Sequence, residues 1–235
     1  MSDPGPGCRR FFRALPREEA ANALLHGAGA LLSLAGGAVL VARSLAYRDA
    51  THTAAVGVYG ASQVAVFAAS TLYHAVTAPR LKPFTRWLDQ ACIYAAIAGT
   101  YTPFMLTVLK GATGLAVPSA VWALAAVGIV AKARRRLRSD AVSLPFYLLM
   151  GWLIVAVLPP LARHLPPAGL GLLVAGGLCY SLGVGFFRWR RPYAHAAWHG
   201  CVLAGVVAFV PKPFSPRALR ATVERALARP QRPAA

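Results

Sequence analysis

The last apolar stretch of the chain, AHAAWHGCVLAGVVAFV at residues 194–210, indicates a helix in a membrane and starts with two histidines. His195 and His199 are four positions apart, so a helix places them on one face, roughly 6 Å from each other. That spacing suits two imidazole ligands of one metal ion. The competing interpretation is that both histidines lie at the membrane interface, where they face lipid headgroups or cap a helix.

Six further stretches share this apolar character and are separated by short polar links. A helix needs about 20 apolar residues to cross a bilayer. The stretches lie at residues 22–46, 53–76, 88–109, 112–131, 142–161 and 169–189. The sequence therefore predicts an all-α membrane protein, a seven-transmembrane helix bundle. Its predicted parts are an N-terminal segment at 1–21, the transmembrane domain at 22–210 and a basic tail at 211–235.

Composition supports this class of protein. Hydrophobic residues make up 57% of the chain and charged residues 14%, which is too apolar for a soluble domain. The net charge of +18 would suggest nucleic-acid binding in a soluble protein. Here the basic residues lie in short runs between apolar stretches, as they do at membrane flanks. We therefore expect membrane lipids as partners and no nucleic acid.

The basic residues also predict the orientation of the bundle. Fifteen Lys and Arg residues lie in the N-terminal segment and the second, fourth and sixth links, against four in the odd-numbered links. The positive-inside rule therefore predicts a cytoplasmic N-terminus. Seven crossings then place the C-terminal tail outside, although the tail carries six more basic residues.

Polar residues converge on the predicted cytoplasmic end. The second stretch ends with Ser70-Thr-Leu-Tyr-His74, the third starts near Asp89, and the seventh starts at His195 and His199. Asp89 is the only acidic residue inside the stretches as drawn. Three further polar residues precede or open the first stretch with helical spacing: Glu19, Asn22 and His26. The two remaining histidines, His52 and His164, fall at the opposite end.

This combination fits a zinc site with an open coordination position. Three protein ligands and a water are the catalytic arrangement of zinc, and a zinc-bound water loses its proton near neutral pH. His74, His195 and His199 are the expected ligands. Asp89 could orient or deprotonate the water, and Ser70 could stabilise a developing oxyanion. Taken singly, Asp89 could instead pair with Arg86 or a helix N-terminus, and His74 could be a packed or headgroup-facing histidine. Ser70 could bond its own helix backbone.

At these residues the chain resembles the haemolysin III proteins, the bacterial branch of the progestin and adipoQ receptor (PAQR) family. These proteins are similar to adiponectin receptors and, more distantly, to alkaline ceramidases. The resemblance covers about residues 17–210. The matching pieces are Glu19-Ala-Ala-Asn22 followed by His26, Ser70-Thr-Leu-Tyr-His74, Asp89 with Ile93-Tyr94, Ala98-Gly-Thr-Tyr-Thr-Pro103 and His195-Ala-Ala-Trp-His199.

The resemblance implies that the three histidines ligate zinc and that Asp89 holds the zinc-bound water. It implies a structural or supporting role for Glu19, Asn22 and His26. The chain departs from the family pattern in three places. Gln90 stands where the bacterial family usually has histidine, and Ala196 stands where it often has glutamate. The tail after Phe209 differs from the usual ending.

Three functions follow as hypotheses. The first is a zinc hydrolase of the bacterial inner membrane that cleaves a lipid amide or ester, as the ceramidase resemblance implies. The second is a receptor or sensor with structural zinc. The third is a cytolysin or pore, as the family name implies. A pore requires polar residues through the whole bundle, whereas the sequence concentrates them at one end.

Overall fold

The computed structural model describes residues 15–46, 49–134 and 140–209. These residues form helices and short turns, with no β-strand among them. We number seven helical segments in chain order. They are α1 (Arg17–Leu45), α2 (Ala50–Ala75), α3 (Lys82–Pro103, extended by π-helical Phe104–Leu109), α4 (Gly111–Ala133), α5 (Asp140–Trp152, then 3₁₀-helical Leu153–Val157 and α-helical Leu158–Ala162), α6 (Pro167–Arg188) and α7 (Ala194–Phe209).

Within the described residues, the first six segments are long and apolar enough to cross a membrane. The last, α7, is a shorter apolar helix of 16 residues. The helical membrane bundle predicted from the sequence is thus confirmed. Most of the predicted N-terminal segment and all of the predicted tail lie outside the described residues.

The described helices include carboxylates that lie just outside the predicted apolar stretches. The helix α1 begins at Arg17 and carries Glu18 and Glu19 in its first turn, and α5 begins at Asp140. Asp89 is therefore not the only carboxylate on the described helices. The apolar pattern missed the others because charged residues in a first turn extend a helix beyond its hydrophobic run.

Consecutive helices pack side by side from α1 to α4, and α6 packs along α7. The bundle closes where α7 returns to lie against α1. Two apolar clusters fill the interior. One is built mainly on α3, α4 and α5, and the other joins Phe67 and Val66 of α2 to Val206 of α7. The second cluster contacts a histidine of α1, since the ring of Phe67 meets that of His26 edge to face at 4.9 Å.

Two helices depart from regular α geometry at prolines. Pro103 lies at the end of the α-helical part of α3, and the chain continues as a π-helical turn. The 3₁₀ part of α5 precedes Pro159 and Pro160. Tyr101 donates its hydroxyl hydrogen bond to the carbonyls of Met150 and Gly151, at 2.8 and 2.9 Å. Carbonyls near this irregular segment therefore have a partner inside the bundle.

Candidate metal centre

The three predicted histidine ligands meet at one end of the bundle. His74 is the penultimate residue of α2, and His195 and His199 lie in the first turns of α7. One ring nitrogen from each lies within 4.8 Å of the other two. His74 and His199 are buried and His195 is half-buried. The described residues therefore contain a three-histidine group that can hold a metal ion.

The start of α7 places the histidine pair. Tyr193 has a φ of 59°, a left-handed conformation that is uncommon for a bulky residue. It turns the chain after Pro192 into the helix, and its carbonyl accepts the hydrogen bond of the Ala197 amide at 3.0 Å. The next residue opens the helix, so His195 and His199 face the bundle from its first two turns.

The spacing of the nitrogens fits a tetrahedral metal. The Nε2 atoms of His74 and His199 lie 3.0 Å apart. Two imidazole nitrogens on one zinc ion, at zinc–nitrogen distances of about 2.0–2.1 Å, are roughly 3.3 Å apart. Only a small outward movement of the two rings separates the observed arrangement from a ligand pair.

Asp89 and Ser70 lie on the same side of this centre. Both residues line one cavity together with His195 and His199. The Asp89 carboxyl lies beside the Ser70 hydroxyl. Among the described residues, no hydrogen bond of standard geometry reaches the buried Ser70 Oγ. The interpretation that Ser70 bonds its own helix backbone is therefore wrong for this structure.

The cavity extends from the histidines into the membrane-spanning part of the bundle. Its volume is about 270 Å³, and it lies chiefly between α3, α5, α6 and α7. Carboxylates and imidazoles line it at the histidine end. Its other walls are largely apolar, with Ile97, Phe104, Leu158, Leu173 and Val174 among them. A long apolar ligand with one polar group fits this distribution of side chains.

A fourth histidine packs against the centre. His26 of α1 is 4% exposed, and its ring centroid is 3.7 Å from that of His199. It also meets Phe67 edge to face at 4.9 Å. Neither ring nitrogen has a hydrogen-bond partner among the described residues. The sequence predicted His26 at this end of the bundle, but spacing alone did not predict its contact with the candidate ligand His199.

Glu19 has a role that the sequence left undefined. Its Oε2 atom lies 2.8 Å from Nδ1 of His74, 55 positions further along the chain. The contact joins the first turn of α1 to the last turn of α2. The only sequence signal for it was the shared depth of the two residues in the predicted bundle.

A second polar group at this end involves Gln90. Lys132 of α4 donates to Gln90 Oε1 at 2.8 Å and to Ser143 Oγ at 2.9 Å. The Gln90 amide donates to Asp140 at 3.1 Å, and Arg86 lies 3.4 Å from the same carboxylate. The salt-bridge partner of Arg86 is thus Asp140, whereas the sequence had suggested Asp89 as its partner. In the sequence analysis, Lys132 is only one of the fifteen basic residues that flank the predicted spans.

The two remaining histidines are remote from the centre, as predicted. The backbone amide of His52 donates to the Asp49 carboxylate at 3.0 Å in the N-terminal cap of α2. His164 lies beyond the end of α5, and its Nδ1 atom is 2.8 Å from the Pro160 carbonyl. Both positions belong to the opposite end of the bundle.

The fold and the site define a polytopic α-helical membrane protein with a three-histidine centre at one end. Residues 15–210 match the family described as "Haemolysin-III related". The chain belongs to this haemolysin III family, as its motifs predicted, and it is a multi-pass integral protein of the plasma membrane.

Similar proteins agree with this assignment. "Hemolysin-3" of Bacillus cereus is 40% identical over 193 residues, which cover 80% of this chain and 87% of that protein. The "Hemolysin-3 homolog" of Bacillus subtilis (strain 168) is also 40% identical over 193 residues, covering 82% and 91%. The human "Monocyte to macrophage differentiation factor" is 30% identical over 189 residues, covering 77% of each chain.

Proposed function

We propose that this chain is a zinc-dependent membrane hydrolase that cleaves the amide or ester bond of a membrane lipid. One observation carries the proposal. Two members of the three-histidine group, His195 and His199, line a cavity of about 270 Å³ together with Asp89 and Ser70, and the other walls of this cavity are largely apolar. A lipid can place its acyl chain along such walls and its polar bond beside the histidines.

The donor set suits zinc. Imidazole nitrogens are common zinc ligands, and three of them leave one tetrahedral position for water or substrate. Bound zinc would supply Lewis-acid chemistry, polarising the carbonyl and making water a stronger nucleophile. Every other part of the proposed reaction depends on side chains of this protein.

Asp89 and Ser70 have complementary roles in this proposal. The Asp89 carboxylate takes a proton from the attacking water as a general base and returns it to the departing amine or alcohol as the C–N or C–O bond breaks. The Ser70 hydroxyl donates to the carbonyl oxygen as that oxygen gains negative charge. Ser70 differs from its neighbours in a way that supports this role. Ser62 and Thr71 donate to carbonyls of their own helix at 2.8 and 2.7 Å, whereas the Ser70 hydroxyl makes no such backbone bond and lies beside the Asp89 carboxyl.

Hydrolysis of defined lipids tests the proposal. The purified protein in detergent is incubated with long-chain ceramides and other N-acyl lipids, and fatty-acid release is measured with and without a zinc chelator. We expect release that the chelator removes, that added zinc restores, and that is absent in His195→Ala. Zinc binding without turnover of any lipid would favour a receptor with structural zinc instead.

Membrane lysis is the second candidate, and the names of the two Bacillus relatives favour it. Leakage of a dye from lipid vesicles measures it directly. A lytic pore should cause leakage that is unaffected by Asp89→Asn. A hydrolase should cause no leakage before product accumulates. A pore needs polar groups along the whole bundle, whereas the imidazoles and carboxylates of this cavity lie at one end of the described bundle.

A further inference from the structure

A hydrogen bond links the first helix to the metal centre. The Nδ1 atom of His74 lies 2.8 Å from Oε2 of Glu19. The His74 side chain is 3% exposed and the Glu19 side chain 35%, so the bond runs from the protein interior towards the surface. His74 therefore has one ring nitrogen directed at a carboxylate and the other directed at the remaining histidines.

The chemistry of these groups fixes the protons. A carboxylate only accepts hydrogen bonds, so His74 Nδ1 must carry the proton and donate it. A neutral imidazole has one protonated and one unprotonated nitrogen, which leaves the lone pair of His74 on Nε2. This Nε2 atom is the nitrogen that lies 3.0 Å from Nε2 of His199. The nitrogen that can bind a metal is thus the one that faces the centre.

His199 completes this arrangement whenever no cation is bound. If His74 Nε2 holds a lone pair, then the short Nε2–Nε2 contact requires His199 to donate from its own Nε2. His199 Nδ1 is then unprotonated, and this buried atom has no hydrogen-bond partner among the described residues. His199 has no anchor comparable to Glu19, so its proton can leave Nε2 when a cation arrives.

We infer that Glu19 is a positioning residue that fixes His74 in the Nδ1-protonated tautomer and directs Nε2 at the three-histidine group. The inference concerns the imidazole itself and deepens the proposed function, because this tautomer is the one that can ligate zinc. Carboxylate–histidine–metal arrangements orient the ring and raise the basicity of the ligating nitrogen.

Lys82 holds the carboxylate in place. Its Nζ atom is 3.8 Å from Glu19 Oε2, donates to the Tyr73 carbonyl at 2.6 Å and lies 4.2 Å from the centroid of the Tyr73 ring. The lysine thereby joins α1, α2 and α3 at the histidine end. Because Lys82 and Glu19 are both about one-third exposed, their ion pair has a small stabilising effect and serves mainly to orient the carboxylate.

Cobalt binding measures the effect on ligand strength. Cobalt(II) gives an absorbance that reports its coordination, and competition with a chelator gives its Kd in detergent-purified full-length protein. We expect Glu19→Gln to raise the Kd about 10–100-fold, as loss of such a hydrogen-bond partner usually does. Glu18→Gln is the matched control, because it removes the same charge from an exposed neighbour in the same helical turn. An equal Kd in wild type and Glu19→Gln would overturn the inference.

The tautomer can be observed without any metal. In metal-free wild-type protein labelled with ¹⁵N-histidine, the ring nitrogens of His74, assigned by loss of their signals in His74→Ala, should show a protonated Nδ1 and an unprotonated Nε2. Glu19→Gln should reduce this preference and Glu18→Gln should preserve it. If wild type binds neither cobalt nor zinc, the proposed hydrolase fails while this measurement still decides the inference. A His74 ring protonated on Nε2 in wild type would refute it.

Discussion

The Nε2 atoms of His74 and His199 lie 3.0 Å apart, although 125 positions of the chain separate the two residues. The contact exists because α7 returns to pack against α1, which itself packs along α2. The centre is therefore built across the closure of the bundle. Substitutions that remove a candidate ligand and substitutions that move α7 should both weaken metal binding at this centre. Experiments can distinguish the two kinds of substitution.

Removal of a ligand should abolish metal binding. We expect about one zinc per wild-type chain, because the three histidines offer one ligand atom each to a single ion. His74→Ala, His195→Ala and His199→Ala should each lose most of it, as measured by elemental analysis of detergent-purified protein.

Two other histidines provide the controls for that measurement. His164→Ala should retain the zinc because His164 lies at the opposite end of the bundle. His26→Leu should retain it as well, because His26 lies outside the group of three despite its contact with His199. Folded wild-type protein without zinc would contradict the assignment. Loss of zinc in His26→Leu would show that His26 is a fourth ligand.

Movement of α7 is tested at a glycine of α6. A Cβ atom at Gly183 would lie 2.7 Å from Cε3 of Trp198 and 2.9 Å from Cβ of Cys201, both on α7. Gly183→Ala should therefore force the two helices apart, destabilise the fold by about 1–3 kcal/mol and weaken zinc retention. Thermal unfolding in detergent and zinc content measure the two effects.

Gly185 is the matched control for this substitution. It lies in the same helix, and a Cβ atom there would meet nothing within 4 Å. Gly185→Ala should leave zinc unchanged and be neutral, or stabilise by about 0.4–1 kcal/mol through the unfolded chain. Equal melting temperatures for the two variants would show that the close contact of α6 with α7 is not required.

The sequence predicted the bundle well, and the reason is physical. In a membrane, each helix must satisfy its backbone hydrogen bonds internally, so an apolar run of sufficient length almost defines a span. Alternation of the spans then brought His74 and Asp89 to the end that contains His195. Predicting this shared end required only the order of the helices and the length of each crossing, and not the distances between helices.

The contacts between neighbouring side chains could not be predicted in the same way. Glu19 could be placed at the right depth, but its rotation towards His74 depends on how α1 packs on α2. The Lys132–Gln90 hydrogen bond requires the relative positions of α3 and α4, and a lysine at a helix end usually faces water. Helix periodicity gives faces and depth, whereas these bonds depend on interhelical geometry.

Gln90 illustrates the consequence for stability. It accepts a hydrogen bond from Lys132, which is 6% exposed, and donates one to Asp140. Gln90→Leu should leave a buried ammonium with one acceptor fewer and destabilise the fold by about 1–3 kcal/mol. Zinc content should not change, because Gln90 is outside the ligand group. Thermal unfolding in detergent gives the stability difference.

A double-mutant cycle identifies the cause. If the loss arises from the unpaired charge of Lys132, then Gln90→Leu should cost less in a Lys132→Met background than in wild type. Strictly additive effects of the two substitutions would show that the hydrogen bond between them contributes nothing.

The orientation of the bundle is a separate prediction. Fifteen basic residues in the N-terminal segment and the even-numbered links, against four in the odd-numbered links, predict a cytoplasmic N-terminus and, with seven crossings, a C-terminus outside. The described part of α7 has 16 residues, about 24 Å at 1.5 Å per residue, against a hydrocarbon core of about 30 Å. Reporter fusions at Ser2 and Ala235 measure both ends. Two cytoplasmic termini would mean six or eight crossings instead of seven, and α7 is the shortest of the seven described segments.

The last prediction concerns Asp89 and separates catalysis from structure. Asp89→Asn keeps the size of the side chain and a hydrogen-bonding group but removes the base. Because the candidate ligands are imidazoles, zinc should largely remain. Hydrolysis of a lipid that the wild type cleaves should fall by a factor on the order of 10²–10⁴, the usual contribution of general acid–base catalysis. Fatty-acid release measured on protein of equal zinc content gives this factor.

Two comparisons make the Asp89 result specific. Asp49→Asn removes a carboxylate at the far end of α2, where asparagine also caps a helix, so activity should be unchanged. Arg86→Ala breaks the contact with Asp140 and should affect stability more than turnover. A structural Asp89 would lower the melting temperature and zinc retention in Asp89→Asn rather than the rate per zinc-loaded molecule. Equal rates for wild type and Asp89→Asn on every cleaved lipid would exclude Asp89 as the base. Another group would then deprotonate the attacking water.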